Sequence, residues 1–299
     1  MDSATATFQQ HRPRLLGLAY RMLGTQADAE DILHDAWLRW HQQDKSALDD
    51  AEAWLVTVTT RLSLDRLRRA KTERQHYTGP WLPEPLVEDT AQPEAELERV
   101  ESLSLSFLAL LERLSPDERA AFLLVQVFDY SHAETAAMLQ IGEDACRQRV
   151  HRARQRLREG RPRFTHAPDT QRRLLEKFRE ALESASIESL QALFAEDAVH
   201  MADGGGKARA TLRPLYGNER IVRLYGIIAQ RYRDYAIVHR LQWINGAPAL
   251  LTWVNARLST VAWIDTDGER ITCIHSLRNP EKLARLEAVT NPQAGASLS

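Results

Sequence analysis

The chain has 299 residues, 43% of them hydrophobic and 27% charged, and its 39 basic and 41 acidic side chains leave a formal net charge of −2. That length predicts at least two domains, the composition is that of a soluble globular protein, and the near-neutral sum excludes a simple basic coat for nucleic acid. No apolar run reaches membrane length and no basic-then-apolar leader opens the chain, so no membrane contact is expected; Cys146 and Cys273, far apart in sequence, predict free thiols in a cytoplasmic protein.

The first elements read as helices. Leu15, Leu18, Ala19 and Met22 recur at helical spacing over residues 8–23, and Gly24 stops the run. In the next helix Asp28, Asp31 and Asp35 lie three and four apart and share a face, which spacing alone reads equally as a solvated face or as an acidic docking face for a basic partner. Asp49 and Glu52 have capping-box spacing before a helix over about 50–70, whose core side is expected to hold Leu55, Val58 and Leu62. Trp54, Thr57 and Arg61 share a different face, and Arg66, Arg68, Arg69 and Lys71 cluster at its end. The mixture suits stacking on unpaired bases and gripping phosphates, or an ordinary amphipathic helix with a cationic C-terminus.

Residues 79–100 hold one basic residue, Arg99, against six acids, Glu84, Glu88, Asp89, Glu94, Glu96 and Glu98. Pro80, Pro83, Pro85 and Pro93 forbid a continuous helix there, so an acidic, largely extended linker is predicted.

Ser115-Pro116-Asp117-Glu118 opens a helix over roughly 116–129 with cap, proline and N3 glutamate, and Ser131 with Glu134 opens a shorter one by the same box. Gly142 punctuates a turn before a helix over about 143–158. In it Cys146, Val150, Ala153 and Leu157 make one stripe, and eight arginines fall between 147 and 163. A short helix, a tight turn and a helix apolar on one side and cationic elsewhere is the helix-turn-helix arrangement, with arginine suited to guanine edges and phosphates.

Beyond about residue 165 the texture becomes α+β. Helices are predicted over 170–183, from Ser186, and over 216–230. Strands are predicted near 199–202, 235–244, 249–256, 258–264 and 270–277, with Asn245-Gly246 and Asp267-Gly268 as hairpin turns. Asp203-Gly204-Gly205-Gly206-Lys207 lacks the spacing of a phosphate-binding Walker loop. Trp243, Trp253 and Trp263 fill a core or line a cavity. His200, Asp203 and Asp234 are the acid–base candidates, but nothing sets a catalytic pair or metal cluster apart. Catalysis, a cofactor and a metal are therefore not expected.

Taken together, the chain resembles the bacterial extracytoplasmic-function RNA polymerase sigma factors, in the subgroup with a C-terminal SnoaL-like domain of nuclear transport factor 2-like fold. The specific motifs are Trp81-Leu82-Pro83-Glu84-Pro85-Leu86, Asp203-Gly204-Gly205-Gly206-Lys207 and Asn279-Pro280-Glu281-Lys282-Leu283, in this order beside the helical blocks. The resemblance implies a multidomain fold: two all-α sigma domains, the second a helix-turn-helix, joined by the acidic linker, then an α+β cone. The implied boundaries are 1–78, 79–105, 106–165 and 166–287, with a tail over 288–299.

It further implies that Asp28, Asp31, His34 and Asp35 dock on the β′ clamp helices of core RNA polymerase. Trp54, Thr60, Arg61, Asp65 and Arg68 would hold the melted −10 strand. Arg147, Gln148, Arg149, His151 and Arg152 would read −35 double-stranded DNA, with the helix-turn-helix on the β flap. The linker at Trp81 would thread toward the polymerase active site, and the DGGGK and NPEKL segments would make regulatory contacts between domains. The chain departs from the pattern at His34, where glutamine is frequent, and at Thr135, where a branched aliphatic is usual. The C-terminal domain leaves room for an unidentified small ligand. Two rival readings are a ligand-responsive one-component DNA-binding regulator and a small-molecule cyclase or isomerase. The first leaves the acidic helix and linker motif without a purpose, and the second lacks convergent acid–base groups.

Overall fold

A computed structural model describes residues 3–45, 48–86, 104–160 and 168–290. The chain divides into two compact units, Met1–His76 with Leu108–Gly160, and Tyr77–Phe107 with Arg161–Ser299. The acidic stretch from Glu88 to Arg99 and the end of the expected tail, 291–299, lie outside the described residues.

The first unit is helical: α1 (Ser3–Leu23), α2 (Gln26–Gln42), α3 (Ala51–Glu73), then, after α4 (Leu105–Leu111), α5 (Pro116–Gln126), α6 (His132–Leu139) and α7 (Glu143–Gly160). The predicted α1 stripe is fully buried. The cap of α3 is Asp50, which accepts from the Ala53 N–H at 3.1 Å, and not Asp49; Glu52 instead pairs with Arg14 at 2.9 Å. Both serine–glutamate boxes form, at Ser115 and Ser131. The left-handed residue ending α6 is Gln140, φ 55°, so the turn closes two residues before Gly142. Cys146, Val150, Ala153 and Leu157 are buried as one stripe, with Cys146 and Val150 packed on Ala121 and Ala136.

On α3 the interior face holds Leu55, Val56, Thr59, Thr60, Ser63, Leu64 and Leu67, while Val58 and Leu62 are only half-buried. A helix gripped by neighbours on two sides buries a face wider than one apolar stripe. Threonine and serine fill the close approaches.

The second unit holds α8 (Pro168–Glu183), α9 (Ile187–Leu193), β1 (Phe194–Asp203), β2 (Leu215–Tyr216), α10 (Asn218–Arg231), β3 (Ile237–Ile244), β4 (Ala247–Val254), β5 (Arg257–Thr266), β6 (Ile271–Leu277) and α11 (Pro280–Thr290). One mixed sheet runs β2-β1-β6-β5-β4-β3; β1 and β6 are parallel and every other neighbour pair is antiparallel. Helices pack on it through Leu174, Phe178, Leu193, Ile221 and Tyr225. Phe178 lies edge-on to Phe194 and Tyr225, with ring centroids 5.9 and 5.2 Å away. Trp253 and Trp263 are core residues, whereas Trp243 is 52% exposed. α11 lies beyond the last predicted strand, where no helix is expected from periodicity. Its start is nevertheless encoded, because Pro280 occupies the first position and the Asn279 Oδ1 accepts the Glu281 N–H at 3.1 Å.

Candidate functional site

The acidic helix α2 presents two kinds of aspartate. Asp31, His34 and Asp35 are exposed, and Leu38 beside them is 46% exposed. Asp28 is half-buried and engaged: it accepts from Arg66 Nε at 2.8 Å and from the Thr25 hydroxyl at 2.8 Å. Asp28 therefore braces α2 against α3, and the open face is Asp31, His34, Asp35 and Leu38. An exposed leucine inside an acidic face is a sign the periodicity argument passed over.

Of the α3 candidates, Thr60 is fully buried and does not belong to the exposed face. Trp54 packs on Trp40, centroids 5.6 Å apart. Arg61 Nε donates to the Met138 carbonyl in α6 at 2.9 Å. Arg68, half-exposed, bridges Asp65 at 3.2 Å and Asp117 at the start of α5 at 3.1 Å. In α7, Arg149 pairs with that same Asp117 at 3.3 Å. Arg147, Gln148, His151 and Arg152 are exposed along one side of α7, Arg147 pairing with Glu143 one turn earlier.

Deeper in the unit lies a network that no spacing rule announced. Glu112 pairs with both Arg74 and Arg119; Arg119, 1% exposed, also donates Nε to the Arg21 carbonyl at 3.0 Å, and Arg74 donates to the Leu23 carbonyl at 2.8 Å. Burial would raise the Glu112 pKa, but the Arg119 and Arg74 charges outweigh it and hold the carboxyl below its ordinary range. This joins α1 and the end of α3 to α5.

In the α+β unit the motif Trp81–Leu86 is a buried strap. Leu82, Pro83, Glu84 and Pro85 are all buried, and the backbone of Leu82 finds its partners in the two other motifs. Asp203, fully buried, accepts at Oδ1 from Tyr77 OH (2.6 Å) and Gly205 N–H (3.0 Å), and at Oδ2 from Leu82 N–H (2.9 Å) and Lys282 Nζ (2.7 Å). Lys282 donates again to the Leu82 carbonyl at 2.6 Å and lies 4.0 Å over the Trp81 ring. Asn279 Nδ2 donates to Tyr77 OH at 3.0 Å, Lys207 pairs with Glu281, and Leu86 N–H donates to Asn245 Oδ1 at 2.8 Å. Gly205 is required twice over: its φ is 59°, and a Cβ there would lie 2.3 Å from Asn279 Nδ2.

A cavity of about 320 Å³ opens in the same unit. His200 lines it, Asp203 and Asp234 do not, and Asp234 is exposed, so the three acid–base candidates are not brought together. Asp265, Cys273 and His275 do meet elsewhere, their ligand atoms within 4.8 Å of one another. Asp265 accepts from His275 Nε2 at 3.0 Å, and although burial opposes charge on both, His275 holds the Asp265 pKa down while Cys273 and Asp265 raise that of His275. Alternation places 273 and 275 on the last strand but ends the preceding one at 264, short of Asp265, and says nothing of the register across β5 and β6.

The Sigma-70 region 2 family matches residues 7–73 and the Sigma-70, region 4 family matches residues 104–157. The chain is 37% identical over 289 residues to the ECF RNA polymerase sigma factor SigJ of Mycobacterium tuberculosis, covering 95% of this chain and 91% of that protein. The chain belongs to the ECF sigma factors. It is also 37% identical over 153 residues to the sigma factor SigM of M. tuberculosis, across 50% of this chain and 72% of SigM. The crystal structure of M. tuberculosis SigJ superposes with a TM-score of 0.74 at 31% identity, covering 94% of this chain and 98% of that one.

As an ECF sigma factor the protein binds core RNA polymerase and directs promoter-specific initiation. That work is binding, without a reaction of its own. Among the described residues no helix is long and apolar enough to cross a membrane.

Proposed function

We propose that this sigma factor rests in a closed state in which its two promoter readers occupy each other. In this reading Asp31, His34 and Asp35 dock on the polymerase β′ clamp helices. Trp54, Arg61, Asp65 and Arg68 hold the melted −10 strand, and Arg147, Gln148, Arg149, His151 and Arg152 read −35 DNA with the second domain on the β flap. One observation carries the closed state: Asp117 is shared by Arg68 from the first reader and Arg149 from the second. Elements named −10 and −35 are roughly 25 base pairs, about 85 Å, apart at ~3.4 Å per pair. Side chains that meet on one carboxylate cannot span that distance, so promoter binding has to separate the domains. Phosphates then replace Asp117 as partners of both arginines.

The α+β unit is the regulatory part. Its DGGGK and NPEKL segments seize the strap at Trp81–Leu86, which withholds that part of the linker from the polymerase channel. The sheet of this unit curls as a cone around its cavity, a reading supported by the register shifts in β1, β4 and β5 that bend a sheet locally. The division at 78, 105 and 165 belongs to this reading, with the last boundary moved from 287 to 290 so that α11 stays whole, and a factor working on the chromosome acts in the cytoplasm.

Transcription by core polymerase with and without the protein tests the sigma role, expected to yield a specific start; no specific start at any promoter, including DNA upstream of its own gene, sinks it. A donor–acceptor dye pair on the two helical domains tests the closed state. Core polymerase plus promoter should move the dyes far apart, and an unchanged separation in an active complex would remove the proposal.

A further inference from the structure

We propose that the cavity of the α+β unit is a receptor site for a small, predominantly apolar carboxylic acid. The volume of about 320 Å³ lies at the lower end of the ~300–1,000 Å³ range of small-molecule sites. Leu182, Leu224, Ile228 and Leu250 form much of its wall. Among the described residues its charged lining side chains are Arg209, Arg231 and Arg278, with no Asp or Glu. Arg209 and Arg231 are exposed, so an incoming anion meets positive charge first and apolar surface next.

Among the described residues three lining groups have a buried polar atom without a partner: Thr211 at Oγ1, Arg278 at Nε and His200 at Nδ1. Arg278 is half-buried; it gives one terminal nitrogen to the Arg209 carbonyl at 2.6 Å and the other to Tyr232 OH at 3.2 Å and Ser259 Oγ at 3.4 Å, while its buried Nε has no partner. His200 is 3% exposed, and its Nδ1 has no partner either. Burial, reinforced by the charges of His275 and Arg278, pushes the His200 pKa down to about 4, so the ring is neutral at physiological pH. Ser276 Oγ lies 3.3 Å from Nε2; in the tautomer where that hydroxyl donates, the ring proton resides on Nδ1 and makes it a donor, and the proposed site takes this tautomer. A guanidinium N–H and an imidazole N–H left unsatisfied beside an apolar cavity match the oxygens of a carboxylate, and an unsatisfied buried donor is itself unfavourable.

Occupancy would be felt by the strap. The lining residues Ala202 and Thr211 are also the seat of Gly79: a Cβ on Gly79 would lie 3.8 Å from the Thr211 carbonyl oxygen and 4.0 Å from that of Ala202. The Arg278 N–H donates to the Asp203 carbonyl at 2.7 Å, and Asp203 holds Leu82. The acid site and the strap thus share a wall.

Calorimetric titration of the full chain with octanoate, with octan-1-ol as the neutral arm, tests the site. Saturable one-site binding of octanoate is expected, with octan-1-ol at least about tenfold weaker, and Arg278→Gln should weaken octanoate about tenfold, the effect of losing a charged hydrogen bond. Ile228→Trp, which fills the cavity and leaves the arginines alone, should abolish binding while thermal unfolding stays cooperative. No saturable binding, equal affinity for the alcohol, or undiminished binding to Ile228→Trp would each overturn the site. Amide exchange over residues 77–86 should change on octanoate addition, and unaltered exchange there with binding intact would overturn the link to the strap.

Discussion

Each unit buries a carboxylate against cationic side chains, and the two solutions differ in what they can release. In the helical unit Glu112 is held by two arginines that also cap helix-end carbonyls, and the outer members of that contact region are partly exposed pairs such as Arg68 with Asp117. Guanidiniums at the edge of solvent exchange a carboxylate for a phosphate at little cost. In the α+β unit Asp203 sits with no exposure inside four donors, one of them the Leu82 N–H on the strap and another a lysine that also grips the strap's backbone. The Asp203 carboxylate and the Lys282 ammonium are both buried there, and losing either strands the other's charge. The helical contacts are built to open, and the strap contacts are built to hold.

The sharpest way to break this contrast is Asp203→Ala. It leaves Lys282 buried without its counter-charge and should cost about 3–5 kcal/mol in urea unfolding of the α+β unit, with new proteolytic cleavage between Tyr77 and Leu86. A loss below about 1 kcal/mol would mean the cage does not hold the strap. Acid titration tests the same unit by another route. His200 is buried neutral, so its folded pKa of about 4 lies below the ordinary 6.5. Its contribution is fully present above pH 6.5 and is lost as pH falls toward 4, about 3 kcal/mol in all for this one group. Unfolding free energies measured across that window should slope with pH in the parent and lose that component in His200→Gln.

In the helical unit, Asp31→Lys with Asp35→Lys should weaken core polymerase binding on the order of a hundredfold, from like-charge contact on a partner's basic face, with the circular dichroism spectrum unchanged. Equal binding would remove the docking face. Arg147→Ala should reduce discrimination between matched and mismatched −35 sequences by about 1–3 kcal/mol in competition gel shifts. A uniform loss over all sequences would make it a phosphate contact. The smallest effect is expected for Arg68→Ala, under about 1 kcal/mol of stability by urea unfolding, because its pairs are half-exposed. A loss several times larger would mean the reader contacts are as rigid as the strap cage.

Much of the candidate site was legible before any coordinates. The exposed side of α7, with Arg147, Gln148, His151 and Arg152, follows from the stripe of Cys146, Val150, Ala153 and Leu157, since burying one face of a helix exposes the other. The strap motif was visible as a motif, but its acidic neighbourhood suggested a free linker, and Glu84 is buried. Asp28 and Asp31 were equivalent by spacing and differ only because Arg66 arrives from another helix. Thr60 looked available for DNA and is interior, because small polar side chains allow helices to approach closely.

What the sequence by itself determined is local and periodic: helix caps at Ser115 and Ser131, the buried stripe of α7, the hairpin turn at Asn245-Gly246, and the change from helical to α+β texture. These depend on interactions within a few residues, where side-chain type and backbone preference decide the outcome. Only the tertiary structure decided which charges are free and which are spent. Arg61 on Met138, Asp117 between Arg68 and Arg149, Asp203 around Leu82 and Lys282, and His200 beside Ser276 at the cavity wall all involve residues tens to hundreds of positions apart. Coulombic and hydrogen-bonding partners are set by distance in space, and no periodicity in the chain encodes it.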